Sequence, residues 1–320
     1  MKRVLITGAT GFVGSNLTRH LLGKGYNIHL LLRPGYKEWR IEEILSMVNI
    51  YKVDFMDKEN LSSVISKIKP QWIFHLAAYG AYSYQTNLQL MADTNIIGTI
   101  NLVQACIKTG FEAFVNTGSS SEYGFKDHPP SETEFLEPNS HYAFTKASST
   151  LFCQYTARKL NLHLPTLRLY SAFGPYEEPT RLMPALVIKG LSGKLPPLVN
   201  PDTARDYVYI EDINEAYILA ASKNTQEYGA IYNVGSGIQS TIRDVVSIAR
   251  DIMDISEEPL WGSMENRCWD TNCWVADSNK IRNDLGWKPR YSFKEGFALM
   301  VKFFSNNPKL ITTISKVSQK

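Results

Sequence analysis

A glycine-rich turn close to the start of the chain restricts the possible folds more than any other feature. Residues 7–14, Thr-Gly-Ala-Thr-Gly-Phe-Val-Gly, join a short apolar run to a helical pattern. Glycines here let the backbone bend tightly and approach a pyrophosphate, and the following helix offers free N–H groups with a partial positive charge. An ordinary glycine-rich connection is the alternative, but the position in the first strand–turn–helix unit favours a dinucleotide. The contacts predicted from this turn are Gly8, Thr10, Gly11, Phe12, Val13 and Gly14.

Short apolar runs alternate with helical patterns through the first 120 residues. The predicted strands cover 3–7, 27–32, 49–53, 72–76 and 113–116, and the predicted helices cover 14–23, 61–68 and 94–109. This alternation is typical of a parallel sheet with helices on both faces. After about Leu169 prolines cluster, segments shorten and helices are predicted at 210–222 and 242–252, which indicates a smaller lobe. The polar, basic tail at 306–320 is predicted to fray.

Composition and charge exclude several classes of function. The chain has 320 residues, 44% apolar and 20% charged, with 34 Lys and Arg against 31 Asp and Glu. The small positive surplus is spread along the chain, so no nucleic-acid partner is expected. No stretch approaches the roughly 18–20 apolar residues that span a bilayer, and no secretory signal is visible, so we expect a cytoplasmic protein with no membrane partner. The four cysteines lack zinc-ligand spacing, and no metal is expected.

The end of the second predicted strand bears on the choice of cofactor. A carboxylate there would accept from the adenosine ribose 2′-OH of NAD, but this chain has Arg33 and no acidic residue before Glu38. A guanidinium can hold a 2′-phosphate or stack on adenine. NADP is therefore the leading cofactor, NAD is possible, and a solvent-facing Arg33 is the plain alternative. Other cofactor contacts are predicted after the third and fourth strands, at Asp54, Phe55, Leu76, Ala77 and Ala78.

A tyrosine and a lysine four residues apart carry the predicted chemistry. Tyr142 and Lys146 lie one helical turn apart on one face, where the positive charge is expected to favour the phenolate and lower the phenol pKa. Such a phenol exchanges a proton with a sugar oxygen while hydride moves at the same carbon. Three serines after the fifth strand, 119–121, can hold that oxygen. A Tyr-xxx-Lys pair alone is common by chance, but its combination with the glycine turn and the serines favours catalysis.

Seven motifs occur in a fixed order along the chain: TGATGFVG, HLAA, SSSEYG, YAFTK, FGPYE, ARDYVYIED and LGWKP. With them, residues 1–300 resemble the extended short-chain dehydrogenase/reductase family that acts on nucleotide sugars. The resemblance implies a modified Rossmann domain, a doubly wound parallel sheet, over residues 1–169. It also implies a smaller C-terminal α/β substrate lobe over residues 170–305, interleaved with the first domain. A nucleotide-sugar substrate and a homodimer formed through the helices that bear the Tyr-xxx-Lys pair are expected as well.

The resemblance assigns roles to the catalytic residues. It implies Ser120 as the catalytic serine, Tyr142 as the acid/base and Lys146 as the residue that orients the nicotinamide ribose. Counting back from Tyr123 points to Ser119 instead, whereas counting from the strand points to Ser120.

The same resemblance suggests binding residues. Asn95 matches a cofactor contact of the family, and Arg205 and Arg267 match positions that hold the substrate's phosphates, a task that suits the guanidinium fork. Surface salt bridging is the alternative for the two arginines. Further substrate contacts are expected at Ser119, Ser121, Glu122 and Ser171.

Three reactions share this apparatus. The segments GSSSEYG and YNVGSGIQSTIRDVV look most like the GDP-4-keto-6-deoxymannose reductase branch, and Arg33 favours an exchangeable NADP. The leading expectation is therefore NADPH-dependent 4-reduction of an NDP-4-keto-6-deoxyhexose. The alternatives are an NDP-sugar 4-epimerase or a 4,6-dehydratase with tightly bound NAD; Glu122 resembles a dehydratase glutamate, but no Asp-Glu pair follows the serine. A non-catalytic NAD(P)-binding regulator is the alternative outside the enzymes, although such proteins typically lose the Tyr-xxx-Lys pair.

Overall fold

A seven-stranded parallel sheet forms the centre of the molecule. The computed structural model describes residues 1–223, 225–265, 271 and 273–311. The strand order is β3-β2-β1-β4-β5-β6-β9, and every neighbouring pair is parallel. The central strands are buried on both faces, which is why they read as continuous apolar runs. The strands of this sheet are β1 (Arg3–Thr7), β2 (Asn27–Leu32), β3 (Asn49–Lys52), β4 (Trp72–His75), β5 (Ala113–Ser119), β6 (Thr166–Leu169) and β9 (Ile231–Val234).

Helices cover both faces of this sheet. Side chains of β1 alternate between two cores: Val4 and Ile6 pack with α1 and α7 on one face, and Leu5 packs with α2, α4 and α5 on the other. The sheet and its flanking helices confirm the predicted α/β, Rossmann-like class. The helices are α1 (Phe12–Gly23), α2 (Lys58–Ile68), α3 (Leu88–Ala92), α4 (Gly98–Thr109), α5 (His141–Leu160), α6 (Leu182–Gly190), α7 (Ile210–Ser222), α8 (Ile242–Met253), α9 (Asn279–Leu285) and α10 (Phe293–Asn306).

A second, three-stranded sheet follows β6 in the chain. It consists of β7 (Ser171–Phe173), β8 (Ala204–Tyr209) and β10 (Gln239–Thr241), with β7 parallel and β10 antiparallel to β8. Helices α6, α8 and α10 pack on one another, and α8 and α10 also pack against this sheet. The chain returns from β8 through α7 to add β9 to the main sheet before it forms β10, so the two sheets share the segment between residues 170 and 241.

The strand order determines where a ligand can bind. The order reverses at β1, because β2 and β4 lie on its two sides, and ligands of open α/β sheets bind beyond the carboxyl ends of the strands at such a point. Two elements reach this edge differently from the sequence prediction. Helix α1 begins at Phe12 instead of residue 14, and β5 continues to Ser119 instead of ending at residue 116.

The helix predicted at 94–109 is longer and irregular. It runs from Leu88 to Thr109 over 22 residues, and its middle turn, Asp93–Ile97, is a π-helix. This helix is apolar and long enough to cross a membrane by length and composition alone, contrary to the expectation that no stretch approaches that length. Half of it is buried in the fold, where it packs against α2 and α5, and core helices of globular domains pass the same test.

Candidate active site

The glycine turn lies against the backbone that follows β4, with no room for a side chain between them. Gly8 has a φ of +69°, and a Cβ added there would lie 2.5 Å from the carbonyl carbon of Leu76 and 2.6 Å from the nitrogen of Ala77. A Cβ at Gly14 would overlap the carbonyl oxygen of Gly8. Gly11 is the N-cap of α1 and has no side chain to occupy the first N–H groups of the helix. The turn therefore leaves a concave backbone surface at a helix N-terminus.

The first turn of α1 suits an anion. It contains no acidic residue, so the partial positive charge of the helix terminus is not offset. Thr10 and Val13 are half-buried beside this surface, whereas the Phe12 side chain packs into the core and can offer a ligand only its backbone. The cradle and the free N–H groups fit the pyrophosphate of a dinucleotide such as NAD.

A buried arginine that sequence reasoning missed braces the glycine turn. The Arg40 guanidinium donates to the carbonyl oxygens of Thr10 at 3.3 Å and Tyr176 at 2.8 Å, and it pairs with Glu178 at 3.0 Å. Tyr176 has a φ of +66°, a left-handed conformation that is uncommon for a residue other than glycine. Arg40 thus fixes a strained loop of the second half of the chain against the cofactor turn of the first.

His75 joins the carboxyl ends of β1 and β4 to the irregular helix. The Thr7 hydroxyl accepts from the backbone N–H groups of Leu76 and Ala77, so its own proton goes to His75 Nδ1 at 2.8 Å. The Thr99 hydroxyl donates to a backbone carbonyl, so it accepts from His75 Nε2 at 2.9 Å. Burial lowers the pKa of His75 to about 3. The ring is therefore neutral, with its proton on Nε2, and His75 acts as a fixed connector at neutral pH.

Asn95 holds the loop that follows β4 and does not face a ligand. Its side chain is buried, accepts from the backbone N–H of Tyr79 at 2.8 Å, and donates to the Tyr79 carbonyl and to the Thr145 hydroxyl. The expectation of a direct cofactor contact is wrong for this geometry, because the amide is already bonded within the protein. Asn95 can influence a cofactor only through the loop that it orders and through α5.

Tyr142 and Lys146 lie in the first two turns of α5, which begins after the N-cap Ser140. Burial, followed by the negative charge of Glu122, raises the pKa of Tyr142 to about 12. Burial also lowers the pKa of Lys146, whose side chain is only 3% exposed. The prediction that the lysine charge lowers the tyrosine pKa is therefore wrong for the protein alone: removal from water dominates, and it disfavours both charged forms.

Of the three serines, Ser119 faces the tyrosine. Its hydroxyl hydrogen-bonds to the Tyr142 phenol and thereby lowers the phenol pKa, and it lies 2.7 Å from the hydroxyl of Ser121. The hydroxyl of Ser120 points elsewhere and accepts from the indole nitrogen of Trp274 at 3.1 Å. The expectation that Ser120 stands opposite Tyr142 is corrected by this geometry. Because β5 extends to Ser119, its last side chain projects from the strand end toward α5.

Glu122 is removed from any ligand. Its side chain is 0% exposed and pairs with the equally buried Arg168 at 2.8 Å. The other carboxylate oxygen accepts from the backbone N–H of Ser119 and the hydroxyl of Thr150. The expectation that Glu122 contacts substrate is wrong, because both oxygens are bonded inside the protein.

The residues predicted to bind the adenosine half of the cofactor lie on the surface near the ends of β2 and β3. Arg33 and Asp54 are exposed, and Asp54 accepts from the backbone N–H of Met56 at 2.9 Å. Phe55 is half-buried against Gly98 of α4, where a larger residue would collide with its ring. Beyond β4, Leu76 and Ala77 are half-buried and Ala78 is exposed.

Two of the predicted substrate-binding residues, Ser171 and Arg205, lie in strands β7 and β8. Ser171 is half-buried in β7. Arg205, half-buried in β8, places its guanidinium 5.5 Å from the ring of Trp274, the residue that bonds to Ser120. These contacts bring a cation from the lobe to the serine end of β5. Arg267 lies outside the described residues.

Arg181 and Tyr82 act on Tyr142, and Glu177 lies near Arg181; sequence reasoning missed all three. Arg181, the N-cap residue of α6, lowers the Tyr142 pKa, and Tyr82 raises it slightly. Glu177 is buried, and its Oε2 is without a hydrogen-bond partner among the described residues. Burial raises the Glu177 pKa to about 8. Only the FGPYE motif marked this region in the sequence.

The fold and the site together define a class, the dinucleotide-dependent oxidoreductases built on a Rossmann-like sheet with a tyrosine and a lysine beside the glycine turn. The model of the NAD dependent epimerase/dehydratase family matches residues 4–235, and the chain belongs to that family. This finding confirms the resemblance to the extended short-chain dehydrogenases/reductases.

Relatives of this chain work on nucleotide sugars. It is 28% identical over 317 residues to a UDP-glucose 4-epimerase of Mycolicibacterium smegmatis, covering 95% of this chain and 99% of that protein. It is 25% identical to dTDP-glucose 4,6-dehydratase 1 of Escherichia coli, covering 98% of this chain and 95% of the relative. The structure of a Thermus thermophilus UDP-glucose 4-epimerase in complex with NAD superposes with a TM-score of 0.83 at 28% identity, over 95% of this chain and 99% of the other. The protein is thus an enzyme of the epimerase/dehydratase type, and its relatives favour these reactions over the expected 4-keto reduction.

Proposed function

We propose that this protein is an NDP-sugar 4-epimerase that retains NAD. The observation that carries the proposal is the serine end of β5, where Ser119 faces Tyr142 and the carboxylate of Glu122 is bonded to Arg168. A 4,6-dehydratase needs an acid/base next to the serine to expel the 6-hydroxyl. Serines at 120 and 121 and a buried Glu122 supply none, which favours epimerisation over dehydration.

The residues divide the work as follows. NAD held at the glycine turn would supply the hydride acceptor and donor for C4 of the sugar. Tyr142 takes the proton of the C4 hydroxyl and gives it back, and Ser119 holds that oxygen by a hydrogen bond. Lys146, one helical turn beyond Tyr142 on α5, binds the nicotinamide ribose.

The anionic parts of both ligands meet backbone N–H groups and arginines. The pyrophosphate of NAD binds at the glycine turn. Gly8 and Gly14 lack the side chains that would keep the turn and the start of α1 apart. The diphosphate of the sugar nucleotide binds Arg205 and Arg267, whose guanidinium forks match phosphate oxygens. A UDP-hexose is a candidate substrate, because the Mycolicibacterium smegmatis relative is a UDP-glucose 4-epimerase.

NADPH-dependent reduction of an NDP-4-keto-6-deoxyhexose is the second candidate. It is favoured by Arg33, exposed directly after β2, where its guanidinium can hold a 2′-phosphate. The two candidates differ in whether the dinucleotide stays bound between turnovers.

The test starts from the purified protein. It is denatured and its released dinucleotide identified, and the folded protein is mixed with UDP-, dTDP-, GDP- and CDP-hexoses while the C4 epimers are separated by chromatography. We expect bound NAD and epimer formation, and we expect Tyr142→Phe to remove turnover while it keeps NAD. Tyr228→Phe, an exposed tyrosine far from α5 in sequence, is the matched control and should remain active. If the purified protein contains no dinucleotide and oxidises NADPH only in the presence of a 4-keto-6-deoxy sugar nucleotide, the protein is the reductase and the epimerase proposal is wrong.

A homodimer and a cytoplasmic location complete the proposal. Phe144, Leu151 and Tyr155 are each more than half exposed and recur at helical spacing on one face of α5. A second copy of α5 is the occupant we propose for this face, since the enzyme family often dimerises through this helix. Cys106, Cys153 and Cys273 are free thiols, as expected in a reducing compartment.

A further inference from the structure

A buried ion pair lies directly behind the catalytic residues. Glu122 follows the serines of β5, and Arg168 projects from the neighbouring strand β6. The Arg168 Nε donates to Glu122 Oε2 at 2.8 Å, and its Nη1 donates to the Tyr123 hydroxyl at 2.7 Å. Both side chains are almost completely buried. An unpaired charge is strongly unfavourable in the interior of a protein. Each residue therefore supplies the opposite charge that the other has no water to provide.

The second carboxylate oxygen connects the two elements that carry the chemistry. Glu122 Oε1 accepts from the backbone N–H of Ser119 at 2.8 Å and from the Thr150 hydroxyl at 3.0 Å. Thr150 lies one helical turn beyond Lys146 on α5. The carboxylate also occupies the space beside Gly118, where a Cβ would lie 2.8 Å from Oε1. One side chain thus fixes the end of β5 relative to α5.

The charge of Glu122 reaches both catalytic groups. It is the largest charge effect on Tyr142, whose pKa it raises, ahead of Arg181, which lowers that pKa, and Tyr82, which raises it. It is also the largest charge effect on Lys146, whose pKa it raises, ahead of Cys153, which acts in the same direction. Burial opposes the charged form of Lys146, so the carboxylate is what favours the ammonium in this site.

We propose that Glu122, held by Arg168, is a positioning residue that fixes the end of β5 against α5 and so directs the Ser119 hydroxyl toward Tyr142 during the reaction at C4. This inference rests on the proposed function, because it assumes that Ser119, Tyr142 and Lys146 act on the sugar. It assigns to Glu122 a role different from the acid/base of a dehydratase: the carboxylate acts through its neighbours and never touches substrate.

Glu122→Gln tests the role of the charge. The amide keeps an oxygen for Ser119 and Thr150 but places an N–H group against the Arg168 Nε. We expect kcat to fall about a hundredfold, since small misplacements of reacting groups have effects of this size. The KM for the sugar nucleotide and the affinity for NAD should stay within about twofold. Both limbs of the pH–rate profile should move to lower pH, because loss of the negative charge lowers the pKa of Tyr142 and of Lys146.

Two further variants separate positioning from stability. Asp212→Asn removes another buried carboxylate, which accepts from the backbone of Arg290 and Tyr291 far from the site, and it should destabilise the fold without moving the pH profile. Glu122→Asp keeps the charge but withdraws it from Ser119, so kcat should fall while the profile stays in place. This variant also serves if Glu122→Gln does not fold. An unshifted profile in Glu122→Gln, or wild-type kcat in Glu122→Asp, would overturn the proposal.

A substrate-independent measurement distinguishes failure of this inference from failure of the proposed function. Tyrosine-labelled protein loaded with NAD is titrated by NMR, and the Tyr142 signal is assigned by its absence in Tyr142→Phe. We expect a lower Tyr142 pKa in Glu122→Gln than in the wild type. A lower pKa without turnover of any C4 epimer would retain the positioning role and reject the epimerase. An equal pKa would reject the positioning role, whatever the substrate proves to be.

Discussion

Replacement of Gly14 by alanine tests the fit of the dinucleotide cradle. Gly14 lies in the first turn of α1 with helical backbone angles, so alanine brings no conformational strain of its own. The added Cβ would overlap the carbonyl oxygen of Gly8 and lie 2.8 Å from its carbonyl carbon, whereas ordinary contacts begin at 3.4 Å. The helix N-terminus and the glycine turn must therefore separate by at least about 0.6 Å.

The size of the effect follows from the hydrogen bonds that the separation breaks. A hydrogen bond to a charged group contributes about 1.5–3 kcal/mol, and two pyrophosphate contacts at this helix end would be lengthened out of range. The expected loss is about 3–6 kcal/mol of binding free energy, which is roughly a hundredfold to more than a ten-thousandfold increase in Kd. Overpacking of this kind also lowers the free energy of unfolding by about 1–3 kcal/mol.

The assay compares Gly14→Ala with Gly23→Ala, a control at the end of the same helix. A Cβ at Gly23 meets nothing within 4 Å, so alanine there should leave dinucleotide affinity unchanged and stabilise the fold by up to about 1 kcal/mol. Affinity is measured by calorimetric titration with NAD on protein stripped of its cofactor, and stability by urea unfolding. Wild-type affinity in a folded Gly14→Ala variant would refute the placement of the pyrophosphate at this turn.

Three further expectations concern other parts of the molecule. Burial raises the Glu177 pKa from 4.5 to about 8, so the folded state binds this proton more tightly than the unfolded chain. The contribution of Glu177 to the free energy of unfolding is complete below pH 4.5 and is lost as the pH rises toward 8, at up to about 1.4 kcal/mol per pH unit. In urea unfolding, Glu177→Gln should therefore show a smaller decrease in stability over this pH range. Arg33→Asp should still contain NAD when the dinucleotide released on denaturation is identified. If the wild type instead contains NADP and the variant contains none, Arg33 binds the 2′-phosphate. Leu151→Glu, on the exposed face of α5, should convert a dimer to a monomer in light scattering; an unchanged mass would move the interface elsewhere.

The sequence predicted those parts of the site whose determinants are local. The glycine turn, Tyr142 and Lys146 each lie within a few residues of the pattern that defines them, so spacing alone placed them at the start of α1 and on one face of α5. The wrong choice of Ser120 has a specific cause: the last residues of β5 are polar, and the apolar run ends at Val115. Pairing with β6 continues that strand to Ser119, and a long-range partner is invisible in the segment itself.

The residues that sequence reasoning missed depend on partners far away in the chain. Arg40 bonds to residues 30 and 136 positions distant, and Arg168 bonds to Glu122 46 positions earlier. An arginine in the middle of an apolar strand, as in Thr-Leu-Arg-Leu, was the one available signal for a buried ion pair. The raised pKa of Tyr142 was likewise out of reach, because it follows from removal of the phenol from water, which only the packed fold establishes.

Strand β9 lies next to β6 in the sheet but follows it by about 60 residues in the sequence, which affects co-translational folding and the design of truncated variants. During synthesis, six strands of the main sheet emerge before residue 170, but β6 has no neighbour on its outer side until Ile231–Val234 is available. Over that interval its backbone groups are a template for pairing with another chain. A fragment that ends at residue 169 should therefore aggregate where the full chain stays monodisperse. Any truncation meant to isolate the cofactor half has to carry the strand that closes the sheet.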